Sequence, residues 1–247
     1  ELLMSMKNSS KVDSQPIFIG KIRDPLHDTI SMTAAEKVII DGPQFQRLRR
    51  LQQTAFIKYV FPGATHSRFE HSLGVMHMSG VMVQSLMENQ RRILEDLRSV
   101  VGQLASPVME EFLRREESDG SLRDTEDALI LLETDPYLVQ GLSFAALLHD
   151  VGHTPFSHSG ERFMPTWGTL EKAIPSLKTP QYLKEGLLRK CEKVTKQNPR
   201  NRDIPVRHEI YTLLVVAQLF TSKDDLHLSE QMGQDVCAVI DASINQA

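Results

Sequence analysis

The sequence has few cysteines, no long apolar run and no signal-peptide pattern. It has only two cysteines, Cys191 and Cys237, which excludes a disulfide framework and fits a reducing compartment. No apolar run reaches the ~18 residues that a membrane-spanning helix needs. Residues 1–15 lack the basic region and long apolar core of a signal peptide. We therefore expect a soluble cytoplasmic protein with no membrane partner.

The charge is not extreme either, except in one stretch. The net charge is −4 and charged residues make up 24% of the chain, so the chain as a whole is neither strongly basic nor typical of disorder. Residues 172–207, in contrast, carry ten Lys or Arg and three acids, a local charge of +7. This stretch overlaps a predicted insert at 165–205, the basic insert. It is either a solvated helix with a loop or a positive surface beside a polyphosphate or nucleic-acid site.

Helical patterns dominate the sequence after a short β-rich start. Residues 17–32 contain β-branched residues and a DP turn, which predict a strand or hairpin. Thr33 and Glu36 form the capping-box pattern that begins a helix, and Pro43 opens another. The apolar face of this second helix carries Phe45, Leu48 and Leu51. Longer helices are predicted at 72–97, 136–150, 209–220 and 230–244.

These patterns predict a mainly α protein. Residues 1–15 are expected to form a flexible leader, and residues 16–247 a bundle-like helical core with one small N-terminal β element. The sequence contains no internal repeat, which excludes a solenoid or propeller.

Histidines lie in two tight clusters, and this clustering indicates a metal site. The clustered residues are His66 and His71 in THSRFEH, and His149, His153 and His158 in HDVGHTPFSH. His149 and Asp150 are adjacent at the end of an apolar helix. Burying an imidazole beside a carboxylate is costly without a partner, and a divalent cation satisfies both groups. We expect the remaining ligands to come from elsewhere in the chain, with His71 as the best candidate.

The blocks around these histidines resemble the HD-domain phosphohydrolases. FPGATHSRFEHSLGVMHMSG is followed about seventy residues later by AALLHDVGHTPFSH. DPLHDTISM, IIDGPQFQRLRRLQQT and VRHEIYTLLV extend the resemblance to the deoxynucleoside triphosphate triphosphohydrolase branch of that superfamily. The matching blocks cover residues 17–80, 141–164 and 205–220. The resemblance implies an HD-domain core that hydrolyses a (deoxy)nucleoside triphosphate at the α-phosphate, giving nucleoside and inorganic triphosphate.

The resemblance also implies a set of metal ligands, namely His71, His149 and Asp150. The fourth ligand of the family is an Asp in a later block of the form DxDxxDYxxRD. This block is absent from the sequence, so we expect that the chain ends before it, the alternative being a degenerate site. Two imidazoles with carboxylates suit Mn, Fe, Co, Ni or Zn, whereas Mg would accompany the nucleotide.

Catalysis would fall to His153, His158 and His208, with Glu161 as the carboxylate that orients His153. Hydrolysis at phosphorus needs a positioned acid to protonate the leaving 5′ oxygen, and an imidazole suits this task because its pKa lies near 7. Which histidine is the acid stays open, and His158 could instead have a helix-capping or core role.

Two further residues resemble substrate contacts. Arg68 resembles the α-phosphate contact of the family, for which the guanidinium fork is suited. Its alternative role is an ordinary surface salt bridge. Gln53 resembles the residue that binds the sugar 3′-hydroxyl. Thr54 stands where the vertebrate pattern has an apolar residue, so the selectivity for deoxyribose is open.

Regulation and assembly are expected from resemblance alone. Asp41, Gln46 and Arg49 match guanine contacts of a regulatory nucleotide site, so a nucleotide activator is one hypothesis. Alternatively, Gln46 and Arg49 are exposed helix residues and Asp41 is an N-cap. Homo-oligomers are usual in this branch. Two other functions stay open: an HD phosphodiesterase or phosphomonoesterase acting on another nucleotide, and a nucleotide- or nucleic-acid-binding regulator without turnover.

Overall fold

The computed structural model describes residues 18–103, 135–221 and 229–244. The described residues fall into two units, a smaller one of 78–103 with 135–140 and a larger one of 18–77, 141–221 and 229–244. The predicted leader at 1–15 lies outside the described residues. None of the described helices is both long enough and apolar enough to cross a membrane.

The predicted hairpin is confirmed. Strand β1 spans Phe18–Asp24 and pairs antiparallel with β2, Asp28–Thr33. The carboxylate of Asp24 accepts the backbone N–H groups of Leu26 and His27, both at 2.8 Å, and so closes the turn between the strands.

Helices make up most of the remainder, which confirms the mainly α prediction. They are α1 Ala34–Asp41, α2 Pro43–Gln46, α3 Arg68–Gln103, α4 Pro136–Leu148, α5 Trp167–Ala173, α6 Gln181–Gln197, α7 His208–Thr221 and α8 Glu230–Ile244. Short 3₁₀ helices lie at Arg47–Arg50, Ile57–Tyr59, Ser157–Phe163, Ile174–Ser176 and Pro199–Asp203.

The helix boundaries refine the predictions. The capping box of Thr33 and Glu36 is present at the start of α1. Helix α2 tightens into a 3₁₀ helix at Arg47, so the predicted helix is shorter than its sequence pattern, although its apolar face is buried as predicted. Helix α4 ends at Leu148, two residues before the predicted end at Asp150.

The core of the larger unit forms where α7 packs against α8. Gly233 allows this close approach, because a Cβ at that position would lie 2.4 Å from the Cβ of Phe220. Phe220 in turn contacts Phe144 edge to face at a centroid distance of 5.7 Å. Leu147, Val216 and Val236 are fully buried in this unit. This packing supports the start of α7 and the turn that follows α4.

The basic insert contains the helices α5 and α6 and two short 3₁₀ helices. Its two ends are joined by backbone hydrogen bonds from Trp167 N to Ile204 O, 3.1 Å, and from Val206 N to Pro165 O, 2.9 Å. Helix α6 buries its apolar face and turns its basic face outward. The buried residues are Leu183, Leu187 and Cys191. Both cysteines of the chain are buried free thiols.

Candidate active site

The candidate site lies entirely within the larger unit. It is assembled from four segments: the start of α3, the turn after α4, the 3₁₀ helix Ser157–Phe163 and the start of α7. Each segment is held in place by its own hydrogen bonds.

The start of α3 places Arg68 and His71. Ser67 caps the helix, since its Oγ accepts the backbone N–H of Glu70 at 3.3 Å and the Glu70 carboxylate accepts the Ser67 N–H at 2.6 Å. The backbone N–H of Arg68 also donates to Leu51 O at 2.8 Å. The capping box was not predicted, although its S-x-x-E pattern is visible in the sequence.

The turn after α4 carries His149 and Asp150 and is packed tightly against α7. A Cβ on Gly152 would lie 2.2 Å from the backbone nitrogen of Thr212, so only glycine fits. The Thr212 hydroxyl donates to His149 O at 3.1 Å and accepts the Gly152 N–H at 3.0 Å. Arg47 donates to Val151 O at 2.5 Å and to His153 O at 2.8 Å. Sequence reasoning missed both Thr212 and Arg47.

The donor atoms of His71, His149 and Asp150 converge. The two Nε2 atoms are 3.3 Å apart, and the carboxylate oxygens of Asp150 lie 3.4 Å from His149 Nε2 and 3.6 Å from His71 Nε2. Nitrogen and oxygen ligands at about 2.0–2.2 Å from a transition metal are separated from one another by about 2.9–3.6 Å. The three side chains therefore fit one divalent transition-metal ion, which supports the predicted class of cofactor.

The protonation states of these groups suit metal binding. His149 Nδ1 lies 2.8 Å from Ala146 O and donates to it, which leaves the Nε2 lone pair facing the other ligands. Burial lowers the pKa of His71, so its imidazole is neutral near pH 7. Burial alone would raise the pKa of Asp150. The hydrogen bond from His153 and the charges of His149 and Arg68 nevertheless hold that pKa well below its usual range.

A second cluster of His153, His158, Glu161 and His208 lies next to the first. Glu161 Oε1 is 2.5 Å from His208 Nδ1 and 3.0 Å from His158 Nδ1. The prediction that Glu161 orients His153 is therefore wrong, because the partners of this carboxylate are the other two histidines. His153 instead stacks on His208 at a centroid distance of 3.4 Å.

Asp150 connects the two clusters. Its Oδ1 lies 3.4 Å from His153 Nε2 and 3.8 Å from His208 Nε2. His153 is 1% exposed, and its Nδ1 has no hydrogen-bond partner among the described residues. Burial lowers the pKa of His153 to about 4, so this imidazole is neutral near pH 7. The side chain of His158 is 70% exposed, which excludes a core role for it.

Arg68 is buried rather than exposed, so the alternative of a surface salt bridge is wrong. Only 2% of its surface is exposed, and its two Nη atoms donate to Asp150 and to the hydroxyl of Ser157. Ser157 in turn donates to Gln53 O at 3.3 Å. The side-chain oxygen of Gln53 is buried without a hydrogen-bond partner among the described residues. The Thr54 hydroxyl is directed to Ala64 O at 3.2 Å.

Ser157 joins Arg68 to Gln53, and sequence reasoning missed it. It has a left-handed backbone at φ 57°, and its side chain is almost fully buried. No residue type in PFSH signals such a conformation, since asparagine or glycine would be expected there.

The three residues matched to a regulatory nucleotide site are only partly brought together. Asp41 is the last residue of α1 and pairs with Lys37, and Gly42 rather than Asp41 is the N-cap of α2. Gln46 accepts from Arg49 Nε at 2.8 Å, and the Arg49 guanidinium lies 3.6 Å from the centroid of the Phe69 ring. Gln46 and Arg49 therefore already have partners within the chain, and Asp41 as an N-cap is wrong.

The fold is mainly α, and a His–His–Asp set lies next to a second histidine–carboxylate cluster. These features define an α-helical protein with a candidate metal centre. Comparison with known sequences makes this more specific. A stretch of 153 residues, 62% of the chain, is 35% identical to deoxynucleoside triphosphate triphosphohydrolase SAMHD1 of Xenopus laevis and covers 18% of that protein. Over 145 residues, 58% of the chain, it is 37% identical to SAMHD1 of Homo sapiens and covers 17% of it.

A more distant relative extends this similarity beyond vertebrates. The SAMHD1 homolog of Dictyostelium discoideum is 29% identical over 164 residues, which are 66% of this chain and 23% of that protein. No protein-family profile matches the chain. The matches confirm the predicted resemblance to the triphosphohydrolase branch. The chain spans only about a fifth of the length of the relatives it matches.

Proposed function

We propose that the protein is a metal-dependent hydrolase of (deoxy)nucleoside triphosphates that releases nucleoside and inorganic triphosphate. The observation that carries this proposal is the sharing of Asp150 between a His71–His149 ligand pair and the second cluster. A metal ligand thus lies beside groups able to move protons, as hydrolysis at phosphorus requires. The similarity to the triphosphohydrolases supports the class of substrate.

The metal would be held by His71, His149 and Asp150 and is a divalent transition ion such as Mn, Fe, Co, Ni or Zn. When bound, it would act as a Lewis acid on the phosphoryl oxygen. Magnesium would arrive with the triphosphate. Arg68 fixes one oxygen of Asp150 and thereby positions the carboxylate within the centre.

The histidines of the second cluster divide the proton transfers. A water oxygen forms a bond to the α-phosphorus while the bond between that phosphorus and the 5′ oxygen breaks. His158 gives its proton to the departing 5′ oxygen, since it is exposed and Glu161, at 3.0 Å from its Nδ1, orients the ring. His208 accepts the proton of the water at Nε2, because its Nδ1–H is committed to Glu161. His153 stays neutral and buried between Asp150 and His208.

Gln53 and Arg68 are the two candidate substrate contacts. Gln53 is a sugar contact, which its buried and unpartnered side-chain oxygen supports. The Nη atoms of Arg68 are held by Asp150 and Ser157, whereas its Nε has no hydrogen-bond partner among the described residues, which supports Arg68 as an α-phosphate contact through Nε. A nucleotide activator at Asp41, Gln46 and Arg49, a homo-oligomer and a cytoplasmic location stay predictions.

The test is incubation of the protein with each NTP and dNTP in the presence of Mn²⁺, with nucleoside, triphosphate, monophosphate and orthophosphate resolved. We expect nucleoside and triphosphate in equal amounts, with loss of both in a His149→Ala, Asp150→Ala variant. His66→Ala is the matched control, because His66 is an exposed histidine in neither cluster. Release of monophosphate or orthophosphate would instead indicate a phosphodiesterase or phosphomonoesterase.

A second candidate function is nucleic-acid binding by the basic insert without turnover. Arg189, Lys193 and Lys196 line a shallow pocket on the outer face of α6. Within the described part of the chain, Lys196 is the one member of this group with a carboxylate partner, Glu192 at 3.1 Å. Retention of a single-stranded RNA oligonucleotide in a mobility-shift assay, weakened by salt and accompanied by no nucleotide hydrolysis, would favour this function.

A further inference from the structure

Two phenylalanine rings outside both clusters form an exposed stack. The rings of Phe56 and Phe156 lie 5.1 Å apart between centroids and are inclined by only 16°. They are 54% and 56% exposed, although each is large and apolar. Large apolar side chains that contact each other while exposed to water mark a surface that binds something.

The backbone presents these rings by adopting conformations that side chains disfavour. Ala55 precedes Phe56 and has φ 50°, and Phe156 and Ser157 have φ 67° and 57°. For a residue with a bulky side chain, the left-handed region is a genuine outlier, and such outliers concentrate at ligand-binding positions. Hydrogen bonds hold the second turn: Thr154 Oγ1 donates to Ser157 O at 3.1 Å, and Ser157 N donates to Thr154 O at 3.2 Å.

The stack is connected directly to the candidate active site. Ser157, next to Phe156, accepts from Arg68 and donates to Gln53 O at 3.3 Å. Gln53 begins the segment that leads to Phe56, and His158 follows Ser157. The two rings therefore belong to the same two segments as Gln53, the proposed sugar contact, and His158, the proposed proton donor.

We propose that Phe56 and Phe156 form the wall on which the nucleobase of the substrate stacks. This inference rests on the proposed function. A nucleobase is a flat aromatic ring, and any base can stack on a phenyl face. A phenyl ring has no hydrogen-bonding groups that would distinguish bases. We therefore expect the site to accept nucleotides with different bases. Purines are preferred through their larger stacking area.

The test compares a nucleotide with inorganic triphosphate, which has no base. Phe56→Leu and Phe156→Leu keep the apolar bulk but remove the aromatic face. Phe163→Leu is the matched control, because Phe163 is an 81% exposed ring on the 3₁₀ helix of Ser157 but outside the stack. For each protein, KM and kcat are measured with dATP, together with the inhibition constant of inorganic triphosphate and the fluorescence of 2-aminopurine deoxyriboside triphosphate.

We expect both stack variants to raise KM about 10-fold, since one base–aromatic stack contributes on this order. In the wild type and the control, 2-aminopurine fluorescence is quenched on binding, and the variants lose the quenching. The inhibition constant of inorganic triphosphate stays unchanged in all four proteins.

Three results would overturn the wall alone. The first is an unchanged KM and unchanged quenching in both variants while the wild type turns over dATP, which leaves the proposed function standing. The second is an equal loss of affinity for inorganic triphosphate, which would mean that the rings only shape the site. The third is a change of sedimentation coefficient in the variants, which would make the stack an interface between copies. If the wild type neither turned over dATP nor quenched 2-aminopurine fluorescence, both the wall and the proposed function would be contradicted.

Discussion

The turn after α4 and helix α6 of the basic insert are both rich in charge, but they hold that charge differently. In the turn, Asp150 is buried and surrounded by Arg68 and four histidines, and Gly152 leaves no space for a side chain. On α6, Arg189, Lys193 and Lys196 face the solvent, and a Cβ added at Gly186 would meet nothing within 4 Å. Burying charge is costly unless it is paired, so the crowded turn indicates a function, whereas the open helix face is compatible with simple solvation.

The largest effect is expected when the charge of the turn is removed. Asp150→Ala leaves the guanidinium of Arg68 buried without its partner carboxylate, and breaking a buried ion pair costs about 3–5 kcal/mol. We expect loss of hydrolysis and of bound metal, with a lower midpoint in urea unfolding. Elemental analysis and denaturation curves measure these effects. If metal content and stability match the wild type, Asp150 is not the shared ligand.

The next largest effect is expected from a variant that distinguishes the role of the second cluster from that of the metal ligands. Glu161→Gln removes the negative charge beside His158 and His208 but leaves His71, His149 and Asp150 in place. We expect kcat to fall about 100-fold with unchanged metal content, because acid–base groups contribute on this scale. Parallel loss of metal would contradict the separation of roles.

A third test uses the pH dependence of stability in the metal-free protein. The pKa of His153 is lowered from 6.5 to about 4 by burial, so the unfolded chain binds a proton that the folded one does not. Stability is therefore full above pH 6.5 and lost as pH falls toward 4, by about 3 kcal/mol in total. A His153→Gln variant should lose less stability over that range in urea titrations. Equal slopes for both proteins would contradict the burial of a neutral His153.

The hairpin, the capping box at Thr33 and the helical class were predictable because their signals are local. The convergence of His71, His149 and Asp150 was predictable from two contiguous blocks. The partner of Glu161 was not, because His208 lies 47 residues away and only tertiary packing brings the two together. The burial of Arg68 had no signal for the same reason.

The stack of Phe56 on Phe156 could not be predicted from the sequence for a different reason. It depends on left-handed backbone at alanine, phenylalanine and serine, and no residue pattern encodes φ for these types.

A smaller effect compares two glycines directly. Gly152→Ala places a Cβ 2.2 Å from the backbone of Thr212, so we expect destabilisation by about 1–3 kcal/mol. Gly186→Ala lies within α6 with open space around it, and alanine there should stabilise the protein by about 0.5–1 kcal/mol. Urea midpoints measure both. Equal shifts would contradict the contrast between a crowded turn and an open helix.

The smallest effect on folding is expected from the charged face of α6. Arg189→Glu with Lys193→Glu should change the free energy of unfolding by less than about 0.5 kcal/mol, as surface substitutions usually do. Hydrolysis should be unchanged, while any affinity for RNA falls and its salt dependence weakens. A mobility-shift series at two salt concentrations, run beside the nucleotide assay, distinguishes a solvated face from a nucleic-acid surface.

Hydrolysis of dATP in H₂¹⁸O tests the central claim most directly. Attack of water at the α-phosphorus puts one ¹⁸O into the released inorganic triphosphate and none into deoxyadenosine, as mass spectrometry of the two products would show. Label in orthophosphate or in a nucleoside monophosphate, or no labelled product, would contradict the assignment of this centre to α-phosphate hydrolysis.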